Sequence, residues 1–261
     1  MKKYLRYADV LTLFLGVVGL LLHLLLKLGG TDERGLYPAH HPAWIGLCVL
    51  SLLVVAVLFL ITKQAGTEDR YAPNFSRSVP GAVGCGLAAV GVLVTAVDTL
   101  STDVLSLVVA VLGMAGAAGL AVAAYCRAVG KKPHFACFAA LCGFFALRVF
   151  LLGRVLGAEP EACRYLFELL ASLAMAPACY YLWGFAVDLG NRSKSLFWSL
   201  TAAYICMVAV LYRESWLLHA SCAVFLLSNL CPLQIMDKLP EPAEAEESSP
   251  ESAQIPAEAE E

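Results

Sequence analysis

The residues in this chain best placed to do chemistry are charges where charges are costly. The stretch FFALRVFLLGR, residues 144 to 154, sets Arg148 in the middle of an apolar run, and RYLFELLASLA, residues 164 to 174, does the same with Glu168. An isolated arginine near a bilayer centre costs roughly 2.5–3.5 kcal/mol on insertion scales, so it calls for a partner, a route to water or a function. The two runs are consecutive and joined by the short loop GAEPE centred near residue 159. Antiparallel helices rising about 1.5 Å per residue then put both charges at a similar depth, ~13 Å inside the outer face. A guanidinium paired with a carboxylate there removes most of the cost of either charge alone. The two charges read as a structural staple, as a site in which Arg148 attracts an anionic group and Glu168 carries a proton, or as unpaired, with Arg148 snorkelling outward and Glu168 hydrated by itself.

Two histidines extend this set. His23 lies in the outer third of the first apolar run and His219 about one turn inside the last, while Asp98, Asp103 and Glu214 fall at outer helix ends. Intramembrane ionisable groups are functional candidates by default. The expected site is therefore an outward-facing polar vestibule of Arg148, Glu168, His23 and His219, joined by the helix-end acids. Two further residues read as structural. Asn229 in FLLSNLCPL is expected to bond a neighbouring helix. Pro177 in LAMAPACYY frees the carbonyl of Leu173 and is expected to kink its helix.

Other chemistries find no support. The sequence holds no H-E-x-x-H, G-x-S-x-G, G-x-x-x-x-G-K-[ST] or strand-linked dinucleotide glycine pattern. His40 and His41 are adjacent, but their side chains diverge and no third ligand is evident. The ten cysteines are scattered through apolar runs without C-x-x-C spacing and read as packing residues. No metal or cofactor is expected, and no basic folded patch points to nucleic acid.

These residues must be positioned by helices in lipid. The chain has 261 residues, 60% hydrophobic and 15% charged, with a mean hydropathy of +0.74, too apolar for an ordinary soluble domain. The expected fold is all-α, a polytopic membrane bundle over residues 1–238. Its apolar runs are 5–29, 43–63, 79–98, 104–126, 135–157, 162–187, 195–212 and 215–235, each about long enough to cross. The first has a basic start like a signal peptide, but its core is longer and charged TDER follows it, so it reads as a retained span.

Orientation follows from the basic residues. With eight spans and the N-terminus inside, twelve Lys and Arg fall on the inner side and five on the outer, with Arg148 within the membrane. That bias predicts both termini in the cytoplasm. The runs GAVGCGLAAVGVLVTA and LSLVVAVLGMAGAAGLAVAAY carry small residues at helical spacing (Gly84, Ala88, Gly91, Thr95; Ala110, Gly113, Ala117, Ala121, Ala124). They are expected to pack as one tight hairpin. Tyr180, Tyr181 and Trp183 read as an inner interfacial belt. At an offset of 127, the first run resembles the fifth, which would fit a four-helix parallel repeat, but the offset does not persist in the later runs and the resemblance is read as chance similarity of two apolar helices.

Residues 239–261 are rich in Pro, Ala and Glu and are expected to be a disordered cytoplasmic tail. Its eight glutamates dominate the formal charge of −3; the rest of the chain carries +5. Expected partners are the lipid bilayer and a protein bound through the tail. The chain is thus expected in the plasma membrane as a small permease or transporter component. The competing readings are a non-catalytic scaffold or accessory subunit and, third, an intramembrane enzyme.

Overall fold

The computed structural model of the chain describes residues 5, 7–29, 41–65, 69–75, 77–158 and 165–235, with the side chains of 72–73, 155–158 and 230–235 left aside. The tail, His40, Cys163 and the side chain of Cys231 lie outside the described residues. What is described is helical, with no strand. The helices are α1 (Ala8–Gly29), α2 (Pro42–Thr62), the single turn α3 (Tyr71–Asn74), α4 (Val79–Asp98), α5 (Val104–Val129), α6 (Ala136–Ala158), α7 (Leu166–Ala186), α8 (Arg192–Ala209) and α9 (Trp216–Ile235). "Inner" below means the end of the bundle from which α1 starts.

Local chemistry sets the boundaries. Four helices begin at a residue whose side chain accepts a backbone N–H of the first turn: His41 from Ala43, Ser78 from Gly81, Asp103 from Ser106 and Asn191 from Lys194. Pro42 and Pro80 stand where a missing N–H costs nothing. His41 of the adjacent histidine pair is thus a helix cap. α5 ends at Gly130, whose φ of 81° is the left-handed value that glycine adopts without strain. α7 runs on through Pro177 as one helix.

Six helices, α1, α2, α4, α5, α6 and α7, are long and apolar enough to cross a membrane. Beside an apolar core, many large apolar side chains face outward and several polar ones face inward. Leu13, Phe14, Leu21, Leu25, Leu52, Leu53, Leu60 and Val104 are exposed, while Thr12, His23, Arg148, Glu168, Ser172, Ser199, Thr201 and His219 are buried. Lipid is as apolar as leucine and a bare polar group in it is costly, so polar side chains turn inward. α8 falls short in apolarity because it is surrounded by protein, with residues buried all around its circumference.

Close-packed neighbours form a closed ring, α4–α5–α6–α7–α8–α9 and back to α4, while α1 and α2 pack outside it against α8. α4 and α5 pack closely, as the expected hairpin does. The small-residue face of α4 does not serve only the hairpin with α5. A β-carbon on Gly84 would land on Ser228 Oγ and one on Gly91 on Ser221 Oγ, both on α9. On α5, Gly113 meets Ala96 and Phe144, Gly116 meets Leu141, and Ala121 is exposed. The small residues therefore close the ring on both sides. The packing gives the four-helix repeat no support, in keeping with chance similarity of the two runs: α7 packs on α8, but its counterpart α2 is not a close-packed neighbour of α4.

Outside the ring, Tyr204 of α8 is fully buried with its hydroxyl 3.0 Å from Ser51 Oγ of α2. Ser51 already donates to Leu47 O at 2.8 Å, so Tyr204 is the donor. Tyr204→Phe is expected to cost about 0.5–1.5 kcal/mol, read as a lower melting temperature in detergent with the bundle otherwise intact.

Candidate functional site

Arg148 on α6 and Glu168 on α7 meet: the guanidinium Nη2 donates to Glu168 Oε1 at 2.8 Å. Both are buried, at 6% and 5% exposure. α6 and α9 are not close-packed neighbours in the ring, yet His219 and Cys222 of α9 lie within electrostatic reach of Arg148. The guanidinium therefore occupies the ring interior, bridging α6, α7 and α9.

The pair is not saturated. Arg148 Nε, His219 Nε2, Ser172 Oγ and Ser215 Oγ are buried and make no hydrogen bond among the described residues. Ser172 follows Glu168 by one turn on the same face of α7, and Ser215, the residue just before α9, accepts the His219 N–H at its carbonyl at 3.1 Å. Buried polar atoms without partners are rare in folded proteins and point to water or a ligand between them. Three of the four belong to the helices that Arg148 bridges, and Ser215 immediately precedes α9.

The rest of the expected vestibule does not assemble. His23 is buried on α1, outside the ring. Its Nδ1 lies 2.7 Å from the carbonyl oxygen of Val208, and its ring stands 5.3 Å edge-on from Tyr212 and 6.1 Å from Phe167. It joins α1 to α8, beside Lys27, which donates to Leu211 O at 3.0 Å. Asp98, Asp103 and Glu214 are exposed. Asp103 caps α5 and faces Arg154 at 3.3 Å. Water solvates an acid at a helix end at little cost, so nothing draws these groups inward.

Asn229, about 15 Å inward of His219 along α9, donates to Phe225 O at 2.9 Å and reaches Cys85 Sγ on α4 at 3.6 Å. Pro177 lies one residue after Ala176, whose carbonyl accepts from Cys142 Sγ at 3.4 Å. Tyr180, Tyr181 and Trp183 group edge to face, with Tyr180 exposed. The eight cysteines in the described residues are free thiols, and no cluster there could hold a metal.

The sequence reading passed over the inner end. Residues Asp69–Phe75 fold back against the ring, burying Tyr71 and Phe75 to 5% exposure and Asn74 fully. Their rings stack at 4.9 Å, and Phe75 meets Phe185 of α7 at 5.2 Å. Arg127 of α5, counted from sequence among the inner-loop cations, is 3% exposed, its guanidinium 5.0 Å over the Phe75 ring. The available signal was YAPNF, two aromatic residues four apart in a connection otherwise polar.

Comparison with protein-family models, with curated proteins and with solved structures found no match.

Proposed function

We propose that this chain is a small permease or transporter component whose eight long helices all cross the membrane, with Arg148, Glu168 and His219 forming the solute or proton site. The observation that carries it is the set of unpartnered polar atoms around a fully buried ion pair inside a closed helix ring. A pair built only for stability gains from having each remaining donor and acceptor satisfied. This one leaves a guanidinium N–H, an imidazole nitrogen and two hydroxyls for something small and polar. Arg148 then holds an anionic group, Glu168 exchanges a proton, and His219 receives or orients either. His23 leaves the site and serves the α1–α8 contact.

The basic-residue bias supports cytoplasmic termini, and a plasma-membrane location is part of the same proposal. A second reading, a scaffold in which the pair is a lock between α6 and α7, draws on the pair's burial and its 2.8 Å contact; the acidic tail would then recruit a protein partner.

Purified full-length chain in proteoliposomes decides between them. Uptake across a panel of small anions, amino acids and sugars, with an internal pH dye, is expected to show flux that Glu168→Gln lowers by tenfold or more, an effect of the size seen when a proton-transferring group is removed. Folded protein with neither solute nor proton flux overturns the permease reading.

A further inference from the structure

The inner end of the ring holds a second polar centre. A small cavity of about 10 Å³, room for roughly one water, is lined by Tyr71, Phe75, Cys85, Arg127, Phe138 and Asn229, among others. These come from α4, α5, α6 and α9 and from the Asp69–Phe75 segment, so the cavity lies within the ring with that segment as its floor. Arg127 supplies its positive charge and sits within hydrogen-bonding reach of the Tyr71 hydroxyl. Burial pushes the Tyr71 phenol up to about 12, so it stays a neutral donor beside the cation.

The segment is held from outside by few contacts. The Tyr71 N–H donates to Asp188 Oδ1 at 2.9 Å, and Gly190 N–H donates to Asp69 O at 3.0 Å. Asp188 also pairs with Lys132. That lysine and the Tyr71 N–H hold the Asp188 carboxyl below its ordinary range, Lys132 contributing most. Asp188 is a non-glycine residue in the left-handed region, with φ of 56°, so its backbone is held in a less favoured conformation at the clamp. Asp69, Lys132 and Asp188 of the clamp are exposed, whereas Phe75 and Tyr71 beneath them are buried. Exposed polar contacts over a buried aromatic pair describe an element that opens at modest cost.

We propose that the inner end of the ring is a second binding vestibule, for a small anion, in which Arg127 supplies the positive charge and residues Asp69–Phe75 are the segment that closes it. It deepens the permease reading, giving a path between Arg148 at the outer half and Arg127 at the inner end a common preference for negative charge. A carboxylate or phosphate entering from the inner side would take the place of the Phe75 ring over the guanidinium and accept from Tyr71 and Asn229.

Cys85 lines the cavity at 1% exposure and is a built-in reporter. Its thiolate attacks a methanethiosulfonate at sulfur, forming a mixed disulfide and releasing methanesulfinate. Full-length protein in detergent is treated with the anionic sulfonatoethyl or the cationic trimethylammonioethyl reagent, and the Cys85 peptide is followed by mass spectrometry. Rates are normalised to each reagent's reaction with glutathione. Asp188→Ala and Phe75→Ala are each expected to speed labelling about tenfold by releasing the segment. In the released variants the anionic reagent is expected to outpace the cationic one by about tenfold or more, the gain a focused charge gives an entering ion. Arg127→Gln is expected to abolish that preference, and Arg127→Lys to keep it where the glutamine variant does not fold. Unchanged labelling in both release variants overturns the closing segment, and equal normalised rates for the two reagents overturn the anion vestibule. Because labelling measures access and not flux, a failed uptake assay leaves this result independent.

Discussion

Arg148→Met alone is expected to destabilise the protein by about 3–5 kcal/mol, because it leaves the Glu168 carboxylate buried without its partner. Glu168→Leu alone strands the guanidinium and is expected to cost a similar amount. The double variant Arg148→Met with Glu168→Leu is expected to regain most of that stability, since replacing both charges by apolar groups of similar volume removes the desolvation cost with the attraction. Reversible unfolding in detergent, read as a double-mutant cycle, measures the coupling. The charge exchange Arg148→Glu with Glu168→Arg separates stability from function. If the exchanged protein folds and also transports, the pair acts as a lock and the site reading fails. If it folds but does not transport, the order of the charges matters to the solute. His219 and Cys222 on α9 lie within electrostatic reach of Arg148, and the charge exchange would alter the field that they meet.

The second large effect concerns packing. A β-carbon on Gly119 of α5 would stand 2.6 Å from the Cys137 carbonyl oxygen and 2.7 Å from its Cα, in the first turn of α6. Those are backbone atoms and cannot rotate away. Gly119→Ala is expected to cost about 1–3 kcal/mol, the usual range for overpacking, and Gly119→Leu more, by forcing α5 and α6 apart. Gly86 on α4 provides the comparison, with no atom within 4 Å of its hypothetical β-carbon. Gly86→Ala is expected to be neutral or stabilising by up to ~1 kcal/mol, the difference in helix propensity. Melting temperatures of the three variants in one detergent check this. Equal losses at Gly86 and Gly119 would show that helix propensity and not contact governs both sites. The ring depends on such contacts, because lipid offers helices no hydrophobic gain on association and close backbone approach is the main attraction left.

The Arg148–Glu168 geometry shows how far local pattern reaches. One short loop between two apolar runs fixes antiparallel helices, and distance counted from that loop fixes depth. Equal depth on adjacent helices was enough to bring the two side chains within reach. The same reasoning misassigned His23, because depth says nothing about azimuth: His23 is buried in the outer half as expected, but its ring nitrogen is taken by the Val208 carbonyl of α8 and its ring packs on Tyr212 and Phe167. Arg127 stands at the inner end where the count of basic residues put it, but its burial was not legible. A cation near a helix end is ordinarily solvated, and only the fold-back of Tyr71 and Phe75 from a connection fifty residues earlier covers it.

By itself the sequence determined the class of solvent, the helical fold, the approximate limits of each apolar run and the common depth of Arg148 and Glu168. Each of these follows from composition or from period and length along the chain. Only the tertiary structure decided that α4 closes on α9, that α1 and α2 stand outside the ring, that His219 faces Arg148 and that Asp69–Phe75 covers the inner end. In a membrane the lipid-facing and protein-facing sides of a helix are nearly equally apolar, so hydrophobic periodicity does not reveal which face meets which neighbour. That choice rests on steric fit and polar pairing between residues far apart in the chain.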